Sequence, residues 1–358
     1  MNAAVCARRR EALRAALKRR GLDALLVSAA PNRYYLSGFE LHDPQFNESA
    51  GRLVVCADGR DWLATDARYT DAAARIWDKD RIFLYGGDGV ADLARLLRSR
   101  GLRVGFEAES VSCAFARALC RAAPGLALEA ADGLVEALRV VKDNDEIEAL
   151  RASFRLNHAM LDWVRDKLVP GRSEQEVSWD IERYFREHGA SELAFANIVA
   201  VGPNAALPHA VPGGDRIGEN CPVLLDIGCR VQDYCSDQTR TFWVGDAPTD
   251  EFRRTLEQVQ AAQKAALAVL RPGLPMCDAY AAARRIFEKA GVEKYFTHGL
   301  GHGVGLETHE APSLNPRRSD PLRAGMVVTV EPGLYYPQWG GVRWEHTALI
   351  TEDGATLF

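Results

Sequence analysis

The feature that most constrains this chain is an internal echo in its second half. Pro170-Gly171 precedes a helical stretch that ends Tyr184-Phe185-Arg-Glu-His-Gly189, and Pro272-Gly273 precedes another that ends Ile286-Phe287-Glu-Lys-Ala-Gly291. Gly171 and Gly189 stand 18 positions apart, as do Gly273 and Gly291, and each closing glycine follows a phenylalanine by four. Pro-Gly, helix, C-terminal glycine is also ordinary punctuation, but the matched length and matched phenylalanine favour duplication. Each copy is preceded by a helical stretch and followed by strands, so the expected unit is helix, helix, sheet, built twice. Two such units would bury a pseudo-twofold core between them, and a site is expected there.

The strands that follow each copy are apolar runs interrupted by one acid. Pro222-Val-Leu-Leu-Asp226-Ile-Gly228 and Tyr234-Cys-Ser-Asp237-Gln-Thr-Arg-Thr-Phe-Trp-Val244 carry an aspartate each. Met326-Val-Val-Thr-Val-Glu331-Pro-Gly333 and Gly341-Val-Arg-Trp-Glu345-His-Thr-Ala-Leu-Ile350 carry a glutamate each. Aspartate is a poor strand former, and an inward acid needs a partner. A lone interior aspartate is usually capped or hydrogen-bonded. Two on adjoining strands place like charges together, which is costly unless a cation lies between them. The duplication would bring the glutamates opposite the aspartates.

Between the two pairs lies His298-Gly-Leu-Gly-His302-Gly-Val-Gly-Leu-Glu-Thr-His309-Glu, three of the chain's eight histidines within twelve positions. Glycine permits close backbone approach. The setting lacks the strand, glycine pattern and helix of a dinucleotide loop, and it has no P-loop lysine. A metal or catalytic loop fits better than a flexible linker. Asp226, Asp237, Glu331 and Glu345 with one imidazole of this loop suit a pair of hard-to-borderline divalent ions, which share a water and lower its pKa. One structural calcium would not need the histidines, and a structural zinc would usually bring cysteine.

The first 130 or so residues alternate helix-like and strand-like stretches: a charged helix at 9–20, apolar strands at 24–27 and 103–106, a hairpin of 52–56 with 61–64 around Asp58-Gly59, and an amphipathic helix at 90–101. They suggest a small α/β domain. Residues 138–168 are helical in period, with the polar run Lys142-Asp-Asn-Asp-Glu146 suited to a helix start. The boundary is placed between a first domain, 1–133, and a second, 134–358. With 44 basic against 49 acidic residues and a net charge of -5, nothing in the balance favours nucleic acid or an anionic membrane. No apolar run approaches the roughly 20 residues of a membrane span, and 1–20 has no apolar core of a secretory signal. The eight cysteines form no Cys-x-x-Cys pair, so a reducing cytoplasm is the simplest setting.

Taken in order, Asp-x-Gly, Tyr-x-Ser-Asp-x-Thr-Arg-Thr, His-Gly-x-Gly-His-Gly-x-Gly-Leu-x-x-His-Glu, Glu-Pro-Gly-x-Tyr and Gly-Gly-Val-Arg-x-Glu resemble the pita-bread metallopeptidases, above all the Xaa-Pro dipeptidases (prolidases) and aminopeptidase P. Asn32-Arg-Tyr-Tyr-Leu-Ser-Gly-Phe39 resembles the creatinase-type N-terminal domain of that family. The resemblance implies an α+β chain: a small creatinase-like α/β domain, then a pseudo-twofold pita-bread catalytic domain. It implies that Asp226 chelates one ion, that His302 and Glu331 bind the other, and that Asp237 and Glu345 bridge both. The ions would be manganese, with cobalt or zinc as alternatives. His209 and His309 would face the substrate, His309 steadying the tetrahedral intermediate and Glu331 shuttling a proton to the leaving nitrogen. His298 and Arg343 would line the same cleft, and Thr239 would support the ligands.

The activity implied is hydrolysis of the Xaa-Pro bond, first as a dipeptidase, with aminopeptidase P acting on longer peptides as the alternative. Members of the methionine aminopeptidase group typically lack such an N-terminal domain. A non-catalytic pita-bread binding protein would typically have lost ligands, and all five are present here. A homodimer is expected from the family. Residues 39–51 offer a loop long enough to shorten a neighbouring cleft to two residues, or a plain surface loop. The family usually has an acid after the last metal glutamate, where this chain has His346. A protonated His346 would weaken ion binding in mildly acidic solution.

Overall fold

In the first unit, Met1–Leu138, the helix Ala3–Arg20 starts where the Asn2 side chain caps Ala4 N–H and stops at Gly21, whose φ of +65° few other residues tolerate. Its Leu13 and Leu17 are fully buried. Ala24–Val27 is buried along its whole length because it is a central strand. It pairs antiparallel with Gly51–Cys56 and parallel with Arg103–Phe106. Trp62–Thr65 with Ile82–Leu84 extend one edge, and Ala127–Ala130 the other, giving a six-stranded mixed sheet. This is the α/β domain that the alternating pattern implies. Glu107 is buried and accepts from Ser28 N–H, Ala29 N–H and Asn32 Nδ2, at the start of the helix Ala30–Ser37.

The computed structural model describes residues 2–45 and 48–358. The 39–51 stretch therefore includes two residues, 46 and 47, that lie outside the described residues, and with them lies its expected role as a loop shortening the cleft. The compact units divide after Leu138, where the sequence puts the boundary after 133. The helical stretch 138–168 is interrupted: Glu136–Arg139 is a short helix and the long one is Asn144–Arg165. Asp143 and Glu146 form a reciprocal capping box that fixes its start. Among the described residues no helix is long and apolar enough to cross a membrane.

The second unit, Arg139–Phe358, is built twice. The helices Asn144–Arg165 and Glu174–Glu187 cover the strands of the first half, and Asp250–Leu267 and Met276–Ala290 cover those of the second. The match extends to single hydrogen bonds. Gly171 N–H donates to Ile217 O and Glu174 N–H to Asp215 O; Gly273 N–H donates to Leu322 O and Met276 N–H to Asp320 O. Leu322 lies 105 positions after Ile217, and Glu331 lies 105 after Asp226, so two of the interior acids occupy the same place in the two halves. In the first half, Ile198–Val201, Cys221–Ile227 and Gln238–Val244 form one antiparallel sheet. In the second, Gly301–Gly303, Val327–Val330 and His346–Ile350 run together in another.

Candidate metal centre

Strand alternation places the acids. In Cys221–Ile227, Val223, Leu225 and Ile227 face the helices of their half, so Asp226 points to the opposite side with Leu224. In Val327–Val330, Val328 and Val330 face their helices, leaving Thr329 and then Glu331 on the inner side. Asp237 and Glu345 stand just before Gln238–Val244 and His346–Ile350. The halves are joined here: Glu345 N–H donates to Thr239 O, and Thr239 Oγ1 donates to Glu345 Oε2 at 3.0 Å.

The result is a cluster of buried and half-buried acids from both halves. Asp226, Asp237 and Glu345 each offer an oxygen, and these atoms lie within 4.8 Å of one another. His302 Nε2 lies 3.5 Å from Asp237 Oδ2 and 3.2 Å from Glu331 Oε1. Its Nδ1 faces Gly303 O at 3.1 Å, which leaves Nε2 aimed at the acids, as a ligating histidine requires. Thr329 Oγ1 accepts from His302 N–H and donates to Glu331. The glycines of this motif act by size: a Cβ on Gly301 would stand 1.9 Å from Thr329 O, and one on Gly303 2.3 Å from Ala311 O.

The electrostatics are those of a site with too much negative charge. Burial, then the charges of Glu345, Asp226 and Glu331, hold Asp237 well above the carboxylate range. Burial, then Glu331 and Asp226, push Glu345 up to about 8. Burial disfavours both a charged His302 and a charged Glu331, but their mutual hydrogen bond outweighs it, holding the imidazole up at about 9 and the carboxyl down at about 2. Asp226 Oδ1 and Glu345 Oε1 are buried with no hydrogen-bond partner. Buried acceptors without donors are costly. Oxygen donors with one imidazole are the ligand chemistry of divalent ions, so the residues present fit a metal.

Arg343 is 3 % exposed and its donors are engaged within the protein. Nη2 donates to Asp226 Oδ2 at 2.6 Å, Nε to Thr239 Oγ1 and Nη1 to the Tyr335 oxygen at 3.0 Å. His298 is occupied likewise: Nδ1 meets Gly299 O, and Nε2 lies 2.8 Å from the Tyr335 hydroxyl. Tyr335 therefore donates to His298 and accepts from Arg343. Sequence reasoning missed Tyr335, although Glu-Pro-Gly-x-Tyr displays it. A cavity of about 530 Å³ opens over the cluster, lined by Asp226, Asp237, His302 and Glu331 on its floor and by His209, His298, His309, Tyr335 and Arg343. Glu345 lies behind that floor.

His309 and His346 are both held toward the neutral form. Burial, then His302, hold His309 below the ordinary imidazole value. Protonation of His346, the condition under which ion binding would weaken in mildly acidic solution, is disfavoured by its surroundings. Arg240 can only donate, so His346 Nε2, 3.0 Å from Arg240 Nη2, must accept. Burial and the charges of Arg240 and His158 push the imidazole down to about 4.

The model of metallopeptidase family M24 matches residues 148–352, and that of the creatinase/prolidase N-terminal domain matches residues 9–141. The chain belongs to metallopeptidase family M24. Its membership makes it a hydrolase of the class that uses divalent metal. The uncharacterized peptidase YqhT of Bacillus subtilis (strain 168) is 35 % identical over 345 residues, covering 96 % of this chain and 95 % of that one. A solved structure described as Xaa-Pro dipeptidase from Bacillus anthracis superposes with a TM-score of 0.91 at 33 % identity, covering 99 % of this chain and 97 % of that one. The structure of an X-Pro aminopeptidase from Thermotoga maritima gives 0.84 at 30 % identity, covering 95 % and 96 %.

Proposed function

We propose that this M24 chain is a dinuclear Xaa-Pro dipeptidase. Asp226, Asp237, His302, Glu331 and Glu345 would hold two divalent ions, manganese first and cobalt or zinc as alternatives. Asp226 would serve one ion, His302 and Glu331 the other, and Asp237 with Glu345 both. The observation that carries the reading is the pair of buried, unpartnered oxygens, Asp226 Oδ1 and Glu345 Oε1, within a group of acids that face one another. When bound, the ions supply an activated water and polarise the scissile carbonyl.

The chain's own residues do the rest. Arg343 occupies Asp226 Oδ2 and leaves Oδ1 free. His309, kept neutral, donates a hydrogen bond to the oxyanion that develops on the substrate carbonyl. Glu331 takes up the proton that the attacking water gives up and passes it to the leaving proline nitrogen. His209 meets the substrate from the cavity wall, where Phe195, Ile198 and Pro208 offer an apolar surface to the proline ring. His298, locked by Gly299 and Tyr335, shapes that wall.

One observation favours the longer-peptide reading, that of an aminopeptidase P. A Xaa-Pro dipeptide carries its free carboxylate on the proline, and a buried carboxylate needs a cationic or donor partner. Among the described residues lining the cavity, Arg343 is the one permanent cation, and Asp226, Tyr335 and Thr239 engage it. Hydrolysis of Xaa-Pro, its C-terminal amide and Xaa-Pro-Xaa, with manganese, cobalt and zinc added in turn, separates the readings. A kcat/KM for the free dipeptide above those of the amide and the tripeptide supports the dipeptidase, and the reverse order replaces it with the aminopeptidase. No hydrolysis of any of them with any ion would sink both. A homodimer in a reducing cytoplasm completes the proposal, in keeping with eight cysteines that are all free thiols.

A further inference from the structure

Asn157 and Gln263 occupy corresponding helices of the two halves, Asn144–Arg165 and Asp250–Leu267. Both are buried, at 0 % and 5 % exposure. A buried amide is costly unless its donors are used, and in each case both are. Asn157 Nδ2 donates to Ile227 O at 3.0 Å and to Ser236 Oγ at 3.1 Å. Gln263 Nε2 donates to Val330 O at 2.9 Å and to Trp344 O at 3.0 Å.

The four acceptors share one property. Ile227 follows Asp226, Ser236 precedes Asp237, Val330 precedes Glu331, and Trp344 precedes Glu345. Each amide therefore ties together the two acid-bearing segments of its own half, one residue from each acid. The backbone needs this at those points. The ladder between Cys221–Ile227 and Gln238–Val244 ends at the pair Ile227 and Gln238, and that between Val327–Val330 and His346–Ile350 ends at Val330 and His346. Asp237, Glu331 and Glu345 all stand just beyond the last rung of their ladder, and the amides take over where the ladders stop.

The orientation of Gln263 is itself fixed. Because His346 Nε2 accepts from Arg240, the ring proton sits on Nδ1, which donates to Gln263 Oε1 at 3.0 Å. The amide nitrogen must then face the two carbonyls. Arg240 Nη1 donates to the carbonyl of Glu345 itself. In the first half the Asn157 oxygen is buried without a partner, so the two clamps match in their donors and differ in their support.

We propose that Asn157 and Gln263 are a matched pair of positioning residues that set the separation of the four acids, and hence the affinity of the site for its ions. The inference rests on the metal reading above. Outer groups that orient ligands typically contribute 10–100-fold to metal affinity.

The test uses the full chain. Gln263→Met and Asn157→Leu keep shape and remove the donors. Mn2+ affinity is measured by competition with a chromophoric chelator, and Co2+ binding by its d–d absorption, well below the unfolding temperature. Both variants are expected to bind Mn2+ about 10–100-fold more weakly and to shift the Co2+ band, changes that a merely structural stitch would not produce. Gln263→Asn, which withdraws the same amide by one methylene, and Ser236→Ala, which removes a single acceptor, are expected to give smaller losses, and they keep the test open if the larger changes prevent folding. Wild-type Mn2+ affinity and an unmoved Co2+ spectrum in the folded variants overturn the proposal. Wild-type protein that binds neither ion is a different result and overturns the metal reading instead.

Discussion

Glu107 in the first unit and Asp237 in the second are both buried acids, 2 % and 5 % exposed. Glu107 has three N–H donors gathered on its two oxygens, from Ser28, Ala29 and Asn32. Asp237 has other acids for neighbours, with Glu345 and Asp226 both within ligand distance of it. Removing a carboxylate from water costs several kcal/mol, which hydrogen bonds can offset. In the first unit part of the offset comes from the protein. In the second, Arg343 serves one oxygen of Asp226, while Asp226 Oδ1 and Glu345 Oε1 have nothing. A buried acid saturated by donors holds its own chain together, and buried acids turned on each other call for a cation.

That contrast can be broken at its strongest point first. Asp237→Ala removes an acid proposed to serve both ions. The kcat/KM of the metal-loaded variant on Xaa-Pro peptides is expected to fall on the order of a thousandfold, and near-wild-type turnover would refute the two-ion account. The wild type should also unfold at higher temperature with saturating Mn2+, by about 3 kcal/mol at a hundred times Kd. The Asp237→Ala protein should lose most of that gain, and Glu107→Gln should keep it.

The next effect belongs to Glu107 and sharpens the other side. Burial, against the three donors, raises its carboxyl to about 7 from the model-peptide value of 4.5. The folded state therefore holds a proton that the unfolded state has released between about pH 4.5 and 7. Stability from this group is fully present below that window, falls as pH rises through it, and is flat above. The change is about 3 kcal/mol. Urea unfolding from pH 4.5 to 7.5 should show the slope in the wild type, and Glu107→Gln should remove it. An unchanged slope in the variant would assign it to another group.

The smallest expected effect tests the ion pair between Arg343 and Asp226. Arg343→Met leaves Asp226 Oδ2 without its donor and unsettles Tyr335, which Arg343 also holds. Mn2+ affinity should fall about 10–100-fold. Equal affinity would mean that Asp226 is placed by its strand alone.

The acids were legible in the residues because each is set among apolar strand residues, although only Asp226 lies within a strand and Asp237, Glu331 and Glu345 stand just outside theirs. The duplication was legible too, in the spacing of Gly171 with Gly189 and of Gly273 with Gly291, and the structure repeats it down to single hydrogen bonds. The amide clamp was not legible. Asn157 and Gln263 lie in helices that are mostly polar outside their buried stripe, and a lone Asn or Gln there looks like the edge of a solvated face. Only the fold shows that the helix turns it inward. The state of His346 was hidden for a related reason: it depends on Arg240, which reaches it from a strand of the other half's sheet rather than from along the chain.

The glycines around His302 bear on how this protein can change. A methyl group at Gly301 would overlap the carbonyl of Thr329, and one at Gly303 that of Ala311. Both obstacles are backbone, which cannot rotate aside. The loop is thus among the least tolerant stretches of the chain to mutation, with no stepwise route through alanine. In a library of single substitutions these two positions should stand as gaps on either side of His302.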